Sequence, residues 1–147
     1  MIALPPRLRA GVKARWKEFD VAGGKVTGLD WNMVVGVAEG GAGFNQEEYL
    51  ETLKYSLDQR LRGNRAPLLI GAHSQFYAAQ PAGGDFHPPN ITYQEMRQVL
   101  EQFLAYALAK PEVRIVPYRD ILAWRKHPSP LGNPASATRS GASAAEK

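Results

Sequence analysis

The sequence predicts an α/β protein: parallel strands with helices on their outer side, reading as a sector cut from a larger α/β barrel. Three observations carry this. Short runs of β-type residues alternate with amphipathic helical runs, which implies parallel pairing with right-handed crossovers. Two of the helices are announced by capping boxes. Three strands also make a thin sheet whose clear helices could all lie on one side, whereas parallel sheets want both faces covered.

The first extended segment is expected over Lys25 to Val37, where Val26, Leu29, Trp31, Met33, Val34, Val35 and Val37 supply β-type side chains. The run Glu39-Gly40-Gly41-Ala42-Gly43 reads as a flexible turn. Asn45 stands three residues before Glu48, opening a helix that presents Leu50, Leu53, Leu57 and Leu61 on one face and stops at Gly63. Ala66 to His73 is a short apolar run expected as a buried strand, with Pro67 tolerable near its start. Ser74 to Asn90, rich in proline and aromatics, is a long connection of the kind that often carries function. Thr92 with Glu95 caps a second helix showing Met96, Val99, Leu100, Phe103, Leu104, Ala107 and Leu108 on one face, stopped by Lys110-Pro111. A third strand is expected over Val113 to Pro117 and a last helix over Tyr118 to Lys126. From Pro128 onward small and polar residues predict a disordered tail.

At 147 residues, 44% apolar and 22% charged, the chain can bury a core of its own. The net charge of +4 is modest, and the basic residues near the start (Arg7, Arg9, Lys13, Arg15, Lys17) form no dense stripe. They read as solvated surface charge, and no nucleic-acid partner is expected. Cysteine is absent, which excludes disulfides and thiolate metal sites. No apolar run approaches the roughly 20 residues of a membrane span. Met1 to Arg9 is not a secretion signal, so localisation stays open.

His73 is the most informative position, because it ends an apolar strand just before a long loop, where barrel enzymes collect catalytic groups. The plainer reading is a histidine that caps a strand through a backbone contact. Asp30-Trp31 comes second, against a plain turn carboxylate and a core tryptophan. Placed together, Asp30 would favour the protonated His73 ring, suiting it to deliver a proton to a leaving group. Trp31 would offer a flat wall for a sugar ring. His87 and His127 share no metal-ligand spacing with His73, and G-x-S-x-G and phosphate-loop motifs are missing.

Three segments together resemble the polysaccharide deacetylases, carbohydrate esterase family four. Gly28-Leu29-Asp30-Trp31-Asn32 looks like the family's Asp-Trp motif, and Asn64 to Ser74 like its apolar strand ending in the catalytic-acid histidine. Phe103 through Trp124, FLAYALAKPEVRIVPYRDILAW, is similar to its closing helix, strand and helix. The resemblance spans roughly Lys25 to Pro128 and implies the carboxyl-terminal sector of an irregular (β/α) barrel. It also implies removal of N- or O-acetyl groups from an acetylated polysaccharide or oligosaccharide, using a divalent metal such as zinc held by one Asp and two His. His73 would then be the acid and Asp30 its tuner, with Trp31, Ile70 and Leu68 as substrate-binding residues. The family's pocket leucine falls at Gly71 here.

The metal-binding motifs of the family's first half are missing from this sequence. The resemblance therefore implies that the chain binds no metal by itself and is inactive alone. The expected organisation is an amino-terminal segment over 1–24, helical or irregular, a partial deacetylase-like barrel over 25–127, and a disordered tail over 128–147. An unfinished sheet would expose strand edges, so a missing amino-terminal half or self-association is an expected partner. Two other readings stay open: a metal-free carbohydrate-binding remnant, and a small basic α/β interaction module.

Overall fold

The computed structural model describes residues 2–16, 25–26, 28–79 and 87–126. The chain divides into two compact units, Met1–Val113 and Arg114–Lys147. The described residues are mostly helical, and among them the barrel sector expected from the sequence is not there.

The first unit is built on two long helices. Helix α3 (Gln46–Arg62) begins at Asn45, whose side chain accepts from the Glu48 N–H while Glu48 reaches back to the Asn45 N–H. Helix α4 (Tyr93–Leu108) begins with the same reciprocal arrangement between Thr92 and Glu95. Each box satisfies two donors that a helix start otherwise leaves without partners. Tyr49, Leu50, Leu53 and Leu57 of α3 meet Met96, Val99, Phe103 and Ala107 of α4 in the core. The outer face of the pair is tied by Tyr106, whose hydroxyl reaches both oxygens of Asp58 at 2.7 and 2.8 Å, with Lys110 at 3.2 Å from the same carboxylate.

Helix α1 (Pro6–Arg15) closes one side of this pair. Proline at its first position suits a helix start, where the missing N–H has no partner to lose. Leu4, Val12 and Trp16 enter the core. Arg15 grips Glu48 with both terminal nitrogens (2.9 and 2.7 Å) and donates Nε to the Ala42 carbonyl at 2.9 Å. Arg7 pairs with Glu47 and Glu51 at the surface. Part of the basic amino-terminal stretch therefore answers the acidic start of α3, and Leu4, Val12 and Trp16 of the segment expected to be helical or irregular lie in the core. Lys17 lies outside the described residues.

All three expected strands are corrected. Of Lys25 to Val37, only β2 (Lys25–Val26) is a strand, paired antiparallel with β1 (Ile2–Ala3). Residues Asp30–Val34 form a helical turn, α2, and a 3-10 turn follows at Val37–Glu39. Strand preference reflects fit to a half-buried pleated surface, and among the described residues no neighbouring strand provides one for residues 29–37. Met33, Val34 and Val35 are fully buried by a helical turn instead. Residues 66–73 run extended, but their pairing reduces to a single parallel bridge between Leu29 and Gly71. Residues 113–117 are irregular, and Ile115 and Val116 are exposed.

The glycine run is a tight fold-back in which Ala42 and Phe44 are fully buried. Gly40 (φ 85°) and Gly43 (φ 61°) occupy the left-handed region that only glycine enters without strain. The turn is closed by bonds from Gly41 N–H to Gly36, Ala42 N–H to Asn32, Gly43 N–H to Val35 and Phe44 N–H to Met33. In the second unit, α5 (Tyr118–Lys126) is the expected last helix, with Asp120 in its first turn and Arg125 and Lys126 in its last. That charge order complements the helix dipole. The tail expected from Pro128 onward lies outside the described residues, as do residues 80–86 of the long connection. No helix among the described residues is long and apolar enough to cross a membrane.

Candidate active site: a buried carboxylate and its histidine

Residues 28–30 and 71–73 are zipped together. Gly71 N–H donates to the Gly28 carbonyl at 2.7 Å, and Asp30 N–H donates to the Gly71 carbonyl at 3.1 Å. This short crossing brings Asp30, the first residue of α2, beside His73. The Asp30 Oδ2 accepts the His73 backbone N–H at 2.7 Å, and Oδ1 lies 2.5 Å from the ring nitrogen Nδ1. Oδ1 also accepts the Trp31 backbone N–H at 2.7 Å.

Asp30 is fully buried, whereas the His73 side chain is 35% exposed. A carboxylate taken out of water is costly unless its oxygens are matched, and here both are. The arrangement also selects a tautomer. A carboxylate only accepts, so the proton sits on Nδ1, and Nε2 is the nitrogen able to exchange a proton with a ligand. The strand-cap reading of His73 captures only its backbone bond; the ring contact to a buried carboxylate goes beyond capping.

Aromatic rings surround the histidine. Trp31 stands 5.7 Å from the His73 ring and is stacked on Phe76 at 5.9 Å, and Phe76 lies 5.4 Å from His73. Phe76 is fully buried in a 3-10 turn, Ser74–Tyr77, that starts directly after His73 and is closed by a bond from Phe76 N–H to the His73 carbonyl. Trp31 is partly buried against the core, so part of its surface is occupied by protein.

Leu68 and Ile70 do not join this group. Both pack against the core while Leu69 between them is 51% exposed, the alternation of an extended chain. A side chain added at Gly71 would meet the tip of the Leu29 side chain, which would have to move to admit the leucine the resemblance expects there. His87 is exposed in its loop, and His127 lies outside the described residues.

Two tyrosines that sequence reasoning did not single out meet through their hydroxyls. Tyr77, the last residue of the 3-10 turn, places its hydroxyl 3.3 Å from that of Tyr49, which is almost wholly buried in α3. Burial pushes the Tyr77 phenol up to about 12, and the Asp30 charge acts in the same direction. Burial pushes the Tyr49 phenol up further. The one available signal was the aromatic pair Phe76-Tyr77 so soon after His73.

Among the described residues no three His, Asp or Glu side chains converge on one point. Asp30 is already engaged by His73. These residues do not fit the divalent ion that the resemblance implies. Comparison with protein-family models, with curated proteins and with solved structures found no match to this chain.

Proposed function

We propose that Asp30 and His73 are the proton-delivering part of a site that removes acetyl groups from an acetylated polysaccharide or oligosaccharide. The observation that carries this reading is the His73 ring fixed through Nδ1 by a fully buried carboxylate. An imidazole so held has its orientation set in advance, and Nε2 can hand a proton to a departing amine or alcohol. Asp30 holds the ring through Nδ1, while Trp31 lies close enough to contact a sugar bound over His73. The support is local: the Asp-Trp and strand-His segments of the sequence, and the contact between them. The helical fold adds none.

The described residues deliver a proton and contact substrate, and they contain no donor set to activate water. Purified chain is accordingly expected to bind an N-acetylated chitooligosaccharide without releasing acetate. Nuclear magnetic resonance of the His73 ring during titration with that ligand is the test. Shifted His73 signals, weakened by Trp31→Phe, are expected. Saturating ligand that leaves His73 unmoved would sink the reading, and metal-dependent acetate release by residues 1–147 would overturn the assignment of proton delivery alone.

A further inference from the structure

We propose that α5 and the residues just before it dock the chain on a negatively charged lipid surface. The proposal is independent of the Asp30–His73 reading and involves neither residue.

Exposed apolar side chains are concentrated in the second unit. Ile115, Val116, Tyr118, Leu122 and Trp124 all stand exposed within one short stretch, and no residue of α5 is buried. Tyr118, Ile121 and Leu122 share one side of the helix by their spacing, with Trp124 next to them. A nine-residue helix is marginal in water when nothing packs on it, so an occupant that buries this side would stabilise it.

Charge selects the occupant. Over residues 114–126, Arg114, Arg119, Arg125 and Lys126 stand against Asp120 alone, and that carboxylate lies 3.6 Å from Arg119 Nε. Leu122, Arg125 and Lys126 line one shallow, open cavity, so two cations and an apolar wall face the same space. Two copies meeting through this face would set these cations against one another. A nucleic acid would match the cations and leave the aliphatic side chains in water. The apolar residues also run on from the helix into the irregular segment before it, which a fluid surface accommodates and a helix-shaped groove does not. An anionic bilayer supplies both chemistries at once, with phosphates for the cations and the acyl boundary just beneath for the apolar groups. Tyr118 and Trp124 are of the aromatic types favoured at that boundary. Arg125 sits within the apolar side, one turn after Leu122, and its long stem lets the charge reach the phosphates.

The experiment mixes the whole chain with vesicles of phosphatidylcholine alone or of equimolar phosphatidylcholine and phosphatidylglycerol, read by co-sedimentation and tryptophan emission. Binding to the anionic vesicles only is expected, released by high salt. Emission should shift to the blue, and Trp124→Phe should remove that shift while leaving most of the binding, because Trp16 is buried and Trp31 packs against the core. Replacing Arg125 and Lys126 together by Gln should weaken binding about 30-fold, the equivalent of roughly 1 kcal/mol per cation. These side chains are exposed, so helical circular dichroism should be unchanged by the substitutions. Binding to both vesicle types alike, or to neither, overturns the proposal, as does a dimer or nucleic-acid complex that forms while vesicles stay bare. Binding indifferent to both salt and the double substitution counts against it equally.

Discussion

The α3–α4 pair and the strip that carries Asp30 and His73 are stabilised in opposite ways. The helix pair is held by apolar side chains repeating at helical spacing, with polar groups confined to its ends and outer face. The strip over residues 28–44 and 66–77 has only fragments of regular structure, and much of its arrangement converges on one carboxylate. Apolar packing is spread over many contacts and tolerates the loss of any one. A hub of hydrogen bonds around a buried charge is concentrated, and local. The difference implies that the strip can be loosened without the helix pair, but not the pair without the strip.

The largest effect should come from the helix pair. Phe103 is 5% exposed at the α3–α4 contact, and Phe103→Ala is expected to cost about 4 kcal/mol in urea unfolding. Because that core also carries Tyr49 and Phe76, the His73 Nδ1 proton should disappear together with the helical circular dichroism. Separate midpoints for the two signals would show that the strip is not supported by the pair.

Asp30→Ala is the converse probe. It leaves the His73 and Trp31 backbone N–H groups and the His73 ring without their acceptor, at an expected cost of about 3 kcal/mol. Amide hydrogen exchange should rise over residues 28–44 and 71–77 while α3 and α4 stay protected. Asp30→Asn, which keeps the shape and one acceptor oxygen, should lose less. Stability equal to wild type in Asp30→Ala would mean that the carboxylate does not organise the strip.

The smallest effect is expected at high pH, where the two regions meet through Tyr49 and Tyr77. Both phenols are favoured in their neutral form by burial, Tyr77 up to about 12. A raised value in the folded protein means the contribution is intact below the ordinary phenol value near 10 and is lost as pH climbs toward 12. Phenolate absorbance should show two of the six tyrosines ionising last, together with unfolding. Early ionisation of Tyr77 would place it in water.

The helices were legible because their signals are local. Asn45 with Glu48 and Thr92 with Glu95 sit three residues apart, and the apolar repeat needs only neighbours along one helix. Val34, Val35 and Ile70 were misleading for the complementary reason. Branched apolar residues show that a segment will be buried, but whether it becomes a strand depends on a partner strand that these segments do not have. Leu68 and Ile70, which the resemblance makes substrate-binding, are partly buried and pack against the core. Tyr77 and Tyr49 were missed because their hydroxyls meet across 28 residues of chain, with no spacing to betray it.

By itself the sequence determined where α3, α4 and α5 begin and end and which residue types were available for acid–base chemistry, since propensity, capping and periodicity act within a few residues. Only the tertiary structure decided that the described remaining segments build no parallel sheet, leaving only the short antiparallel β1–β2 pair, that α1 joins the core, and that the residue-30 carboxylate is sealed against the residue-73 ring. Those outcomes depend on which distant surfaces exclude water from one another, and that information is not carried by any short stretch of chain.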